Sequence, residues 1–82
     1  MDAKIIGQYI REARKVQGLT QTEAAGYLNV GVRFLSDLEN GKPTVQLDKA
    51  LQVLEGMGYR VFVVDRSDQR LIRLVEENTN DG

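Results

Sequence analysis

The 82-residue chain has no cysteine and no histidine. Without cysteine it has no disulfide frame and no thiolate nucleophile. Without histidine it has no imidazole base, and lacking both it has no nitrogen/sulfur zinc site. No apolar run comes near the roughly 20 residues a membrane helix requires, and Met1-Asp2-Ala3-Lys4 lacks the basic-then-apolar opening of a signal peptide. The expectation is a soluble cytoplasmic protein with no membrane partner. No carboxylate pair, phosphate-cradling loop or nucleophile–base set is present, and Asp65-x-x-Asp68 is too sparse for a calcium loop. Neither an enzyme, nor a cofactor, nor a metal is expected.

Charge of one sign is also scarce, since 11 Lys/Arg face 12 Asp/Glu. That argues against a general nucleic-acid coating protein. Residues 1–47 hold six Lys/Arg and five Asp/Glu, net +1, and residues 48–82 hold five and seven, net −2. With so small an excess, affinity for DNA requires placed contacts. A chain of this length makes one small domain with a modest core, for which a second copy is a common source of stability.

What is present is concentrated in residues 19–41. Thr20 is placed to cap a helix, and Glu23 lies three residues on, where its carboxylate reaches back to the cap's own N–H. A helix is therefore predicted from Gln21, with Ala24, Ala25 and Leu28 inward and the alanines small enough for close approach of a second helix. Asn29 and Gly31 flank Val30 and permit a sharp turn through a left-handed or otherwise special conformation, with Val30 pointing inward. A second helix follows over about Val32 to Asn40, with Leu35 and Leu38 inward and Gly41 ending it. Its other face carries Val32, Arg33, Ser36 and Asp37. This is a helix-turn-helix pattern, and those four side chains are what a major groove would meet.

Around it, Ile6, Tyr9, Ile10 and Ala13 share one face of a first helix over about Ile5 to Val16, which Gly18 ends. Gly41-Lys42-Pro43-Thr44 reads as a turn. Thr44 then caps a further helix, in which Leu47, Leu51 and Leu54 form the inward stripe and Ala50, Val53 and Met57 lie beside it. Gly56 weakens that helix and Gly58 closes it. Tyr59–Val64, rich in aromatic and β-branched residues, reads as a strand. Its partner is either the same strand of a second copy or residues 70–75 through a hairpin, and the latter segment reads equally as a short helix capped by Ser67. Three regions result: residues 1–58, the helix-turn-helix domain; 59–75, a strand and dimerisation segment with Tyr59, Val61, Phe62 and Val63 at the seam; and 76–82, a polar, disordered tail.

Taken together, Ile10-Arg11-Glu12-Ala13-Arg14-Lys15, Gly18-Leu19-Thr20-Gln21, Ala25, Val30, Leu35-Ser36, Leu38-Glu39-Asn40-Gly41 and the leucine-rich helix after them resemble the XRE/Cro-type helix-turn-helix repressors. Within that family, Phe34 to Thr44 followed by a strand ending at Val64-Asp65 is similar to the HipB-type antitoxins. The resemblance implies a mainly α, lambda-repressor-like bundle of four to five helices whose C-terminal strand pairs across a homodimer. It also implies a transcriptional repressor on a palindromic double-stranded operator, located at the nucleoid when bound, with a HipA-like serine/threonine kinase toxin as partner. Alternatives are a stand-alone repressor, or an interaction module that has lost DNA binding.

By the same resemblance Gln21 binds a phosphate, beside Thr22 at a helix N-terminus with free N–H groups, unless Gln21 is only a solvated cap residue. Arg33 either meets DNA, by a bidentate bond to guanine or at a phosphate, or pairs within its helix with Asp37, and both are compatible. Val32 would meet a thymine methyl, and Ser36 a phosphate, a base or solvent. Asp37 repels phosphates unless it accepts from cytosine or is held by Arg33. Asn40 and Lys42 lie where the family contacts the backbone, and Arg14 and Glu39 form an internal ion pair outside the DNA-binding set.

Overall fold

In a computed structural model, which describes residues 2–64 and the backbone of 71–73, four helices precede a short hairpin. They are α1 (Ala3–Val16), α2 (Gln21–Leu28), α3 (Val32–Glu39) and α4 (Leu47–Gly56), followed by strands β1 (Phe62–Val64) and β2 (Leu71–Arg73). The first helix begins earlier than its apolar period indicates, because Asp2 caps it by accepting from the Ile5 N–H at 3.1 Å. The Thr20/Glu23 capping box at the start of α2 is formed in both directions, at 3.0 and 2.9 Å.

All four helices close in the same manner. Gly18, Asn29, Gly41 and Gly58 take positive φ just beyond the last turn. At each end that residue and the next direct their N–H groups back to carbonyls of the closing turn, as in Gly18 to Lys15 and Leu19 to Arg14. Between α2 and α3 the left-handed position belongs to Asn29 alone. Gly31 has φ −72° and serves as the N-cap of α3, so its expected special conformation is not used.

The core joins Ile10 of α1, Ala24, Ala25 and Leu28 of α2, Leu35 and Leu38 of α3, and Ala50, Val53 and Met57 of α4. Two glycines set how close the helices come. A Cβ on Gly7 would lie 2.5 Å from the carbonyl oxygens of Leu38 and Glu39, so α1 crosses directly over the end of α3. A Cβ on Gly56 would strike Leu28, so α2 and α4 touch at this point. The Gln52 amide ties the same two helices by donating to the Leu28 carbonyl at 2.9 Å.

That contact corrects the expected stripe of α4. The face turned inward is Ala50, Val53 and Met57, whereas Leu47 is 72% exposed and Leu51 and Leu54 are half-buried. Close approach to α2 favours the narrower side chains, and the leucines move to the flank. There Leu47, Leu51 and Leu54 line a cleft of about 480 Å³ with Val61, Phe62 and Val63. Thr44 does not cap α4 either. Val45 packs against the core, which places Thr44 in an exposed turn, and the helix starts two residues later from Gln46.

The predicted strand is shorter than its composition suggests. Tyr59 turns back onto α1, where its hydroxyl donates to the Tyr9 carbonyl at 3.1 Å and the two rings meet edge to face, centroids 6.0 Å apart. Tyr9 is thereby exposed on one side rather than core. Of the open alternatives for the segment after the strand, the chain adopts the hairpin at 71–73: β1 and β2 are antiparallel, with Phe62 opposite Arg73, Val63 opposite Ile72 and Val64 opposite Leu71. One edge of β1 is thus satisfied within the chain, and the opposite edge has no strand partner among the described residues. Asp65 to Asp68, Ser67 included, and the expected 76–82 tail lie outside the described residues.

Candidate nucleic-acid interface

Helix α3 sorts its side chains cleanly. Leu35, Leu38 and Glu39 are buried, while Val32 and Arg33 are exposed and Ser36 and Asp37 half-exposed on the opposite face. Arg33 makes no hydrogen bond or ion pair among the described residues, and its alternative partner is taken. Asp37 pairs instead with Lys42, Nζ to Oδ2 3.6 Å. The reason is the helix end: after left-handed Gly41 the chain folds back so far that the Lys42 N–H reaches the Asp37 carbonyl at 3.0 Å. Asp37 is held by a lysine rather than by Arg33. The guanidinium remains available to an outside acceptor, and the carboxylate's repulsion of phosphate is reduced.

Behind this face lies one buried carboxylate. Glu39, whose side chain is 0% exposed, accepts two bonds from Arg14, at 2.6 Å from Nε and 2.9 Å from Nη2. The same guanidinium donates through Nη1 to the Leu19 carbonyl at 3.0 Å, so α1 is fixed both to the end of α3 and to the entry of α2. Glu39 Oε1 also accepts from the Gln21 amide at 3.0 Å and lies 3.5 Å from Arg11 Nε. Burial alone would raise the Glu39 pKa, but the hydrogen bonds from Arg14 and Gln21, the charge of Arg14 and the nearby Arg11 together outweigh it and hold the carboxyl below the ordinary range. The bond to Glu39 in turn holds Arg14 above its usual value, against the opposing effect of burial. The expected Arg14–Glu39 pair is present and internal.

Gln21 is therefore positioned, not merely solvated: its amide nitrogen is bound to Glu39. The capping box engages the N–H groups of Thr20 and Glu23, which leaves those of Gln21 and Thr22 directed out of the first turn of α2. Asn40 is exposed at the end of α3, its Oδ1 accepting from Arg11 Nη2 at 2.9 Å. Gln21 and Arg11 thus meet at one carboxylate, and Asn40 is bound to the far side of Arg11. Arg11 is not among the residues the sequence assigns to the site, although its i,i+3 spacing from Arg14 signals a shared face of α1. Of the expected seam residues, Tyr59 is engaged with Tyr9, Val61 is half-buried, and Phe62 and Val63 are exposed.

An exposed helix face beside a free helix N-terminus, set on a four-helix core, defines a helix-turn-helix protein. Residues 10–63 match the HTH_3 family, described as helix-turn-helix, and the chain belongs to that XRE-type family of DNA-binding transcription regulators. It is 46% identical over 65 residues to the uncharacterized HTH-type transcriptional regulator y4mF of Sinorhizobium fredii (strain NBRC 101917 / NGR234), covering 79% of this chain and 86% of that one. It is 31% identical over 83 residues to the ImmF control region 10 kDa protein of Bacillus phage phi105, covering 99% and 87%. In fold it is similar to a chain of a HipA-HipB-O2-O3 complex, with TM-score 0.70 at 18% identity over 80% of this chain and 93% of the other.

Proposed function

We propose that the protein is a dimeric, sequence-specific repressor that reads a palindromic operator, and that it is the antitoxin partner of a HipA-like kinase toxin. The observation that carries the DNA reading is the free Arg33 beside Val32 at the start of an outward α3 face. An arginine there makes a bidentate bond to guanine, with Val32 against a thymine methyl and Ser36 on the same turn. Gln21 and Thr22 on one side, and Asn40 and Lys42 on the other, bind the sugar–phosphate backbone and fix the register. Two such helices about 34 Å apart enter successive major grooves.

The second copy joins at the open edge of β1 and the apolar cleft beneath it, which Phe62 and Val63 line. The antitoxin reading is supported by the Phe34–Thr44 resemblance, the position of the strand after α4, and the fold shared with the HipB chain. Fluorescence anisotropy on DNA from upstream of its own gene tests the first part. Affinity is expected to fall steeply between about 50 and 200 mM salt, and Arg33→Ala to lose about 1–3 kcal/mol on the operator while scrambled DNA is little affected. A flat salt response from a folded dimer would sink the DNA reading. Purification of the tagged chain from its host at native level tests the second: a stoichiometric kinase-like partner supports the antitoxin, and recovery of the chain with DNA alone leaves a stand-alone repressor.

A further inference from the structure

We infer that Arg11, on α1 and outside the helix-turn-helix unit, is a phosphate-binding residue that joins the two backbone contacts flanking the recognition helix into one continuous row. The inference rests on the DNA reading above. Its basis is an imbalance of charge around a single carboxylate. Glu39 faces two guanidiniums, and Arg14 takes both of its oxygens at 2.6 and 2.9 Å while remaining only 11% exposed. Arg11 stands at 3.5 Å and is 41% exposed. The negative charge is spent on Arg14, and among the described residues Arg11 carries the surplus positive charge to the surface.

Its position adds direction to that charge. Arg11 Nε and the Gln21 amide approach the same oxygen, Glu39 Oε1, so the guanidinium lies beside the N-terminus of α2 with its free N–H groups. Its other end, Nη2, donates to Asn40 Oδ1 at 2.9 Å, at the end of α3. The guanidinium therefore bridges the two places where phosphates are expected. Beside it a hollow of about 160 Å³ is lined by Lys4, Gln8, Arg11, Glu39 and Asn40. Lys4 reaches that hollow because α1 lies directly over Gly41, where an added Cβ would be 2.8 Å from the Lys4 Cα. Glu39, the acidic group in this lining, is already neutralised. A planar guanidinium anchored at one edge by a carboxylate and at the other by an amide is preorganised for a phosphate oxygen.

The bland role for Arg11 is a cation at the C-terminal end of α3, favourable to the helix dipole. Salt dependence separates the two. Wild type, Arg11→Gln and Arg11→Lys would be titrated by anisotropy against the upstream operator and a scrambled duplex at several salt concentrations, with folding checked by circular dichroism. Arg11→Gln is expected to weaken both duplexes equally and to flatten the slope of log K against log salt by about 0.9 per protomer, and Arg11→Lys to restore it. A steep wild-type slope that Arg11→Gln leaves unchanged overturns the role of Arg11 and leaves the DNA reading standing. Affinity lost without a change of slope, and not recovered by lysine, assigns Arg11 to the helix end. A flat wild-type slope removes the DNA reading and this inference with it.

Discussion

Replacing Arg14 by methionine would test whether one carboxylate holds the fold together. The guanidinium makes three hydrogen bonds, two to Glu39 and one to the Leu19 carbonyl. Its loss leaves Glu39, 0% exposed, with Gln21 and the more distant Arg11. Breaking a buried pair from one side costs about 3–5 kcal/mol, because the remaining charge stays desolvated. A chain of 82 residues is stable by about 4–12 kcal/mol, at about 0.05–0.15 kcal/mol per residue. Arg14→Met is therefore expected to remove about a quarter or more of the total and to lower the melting temperature by about 12 °C or more.

Removing both charges together gives the control. Arg14→Met/Glu39→Leu leaves no buried ion, and its stability is expected within about 1 kcal/mol of wild type. Urea unfolding followed by circular dichroism at pH 7 reads all the variants. A single substitution costing under about 1 kcal/mol, or a double variant no better than the single, would refute the reasoning. The same pair has an acid limit. Since folding holds the Glu39 pKa below its ordinary value of 4.5, the contribution is complete above about pH 4.5 and is lost as pH falls through the folded value. In Glu39→Gln that acid limb is expected to flatten.

Gly7→Ala is expected to destabilise by about 1–3 kcal/mol despite alanine's better helix propensity, because the new methyl meets two α3 carbonyls; a thermal melt reads it. Asn29→Ala is expected to cost about 1–2 kcal/mol at φ 61°, and Asn29→Gly to be tolerated far better, as chemical denaturation will show. Asp37→Asn releases Lys42 and removes a carboxylate from the proposed DNA face. Tighter binding to scrambled duplex, with a steeper salt slope, is the expected result by anisotropy.

The parts legible in the sequence are those that local chemistry decides. Thr20 and Glu23 specify the start of α2 three residues apart, and the alternation of Leu35 and Leu38 with Val32, Arg33 and Ser36 specifies which way α3 faces. The parts not legible depend on which of two acceptable arrangements the tertiary contacts select. Both Leu47–Leu51–Leu54 and Ala50–Val53–Met57 have helical spacing, and the second turns inward where α4 meets α2 at Gly56 and Gln52. Arg33 and Lys42 are both in sequence reach of Asp37, and the fold-back after Gly41 selects the lysine. The strand's partner is likewise open in the sequence, because 70–75 has too few residues for its period to distinguish strand from helix, and the pairing with β1 selects the strand.

The carboxylate of Glu39 also bears on how such a protein diversifies. The four side chains that meet there, from positions 11, 14, 21 and 39, hold α1, α2 and α3 in register, and none of them is Val32, Arg33 or Ser36. Scaffold and proposed reading face are carried by different residues of the same eight-residue helix. On that proposal, new operators are reachable by single changes at 32, 33 and 36, all outside the buried core. A change at the carboxylate or its main partner has to be matched elsewhere before the chain folds again. Libraries randomised at those three outward positions should keep most members folded, and substitutions that break the buried pair at 14 and 39 from one side should lose far more.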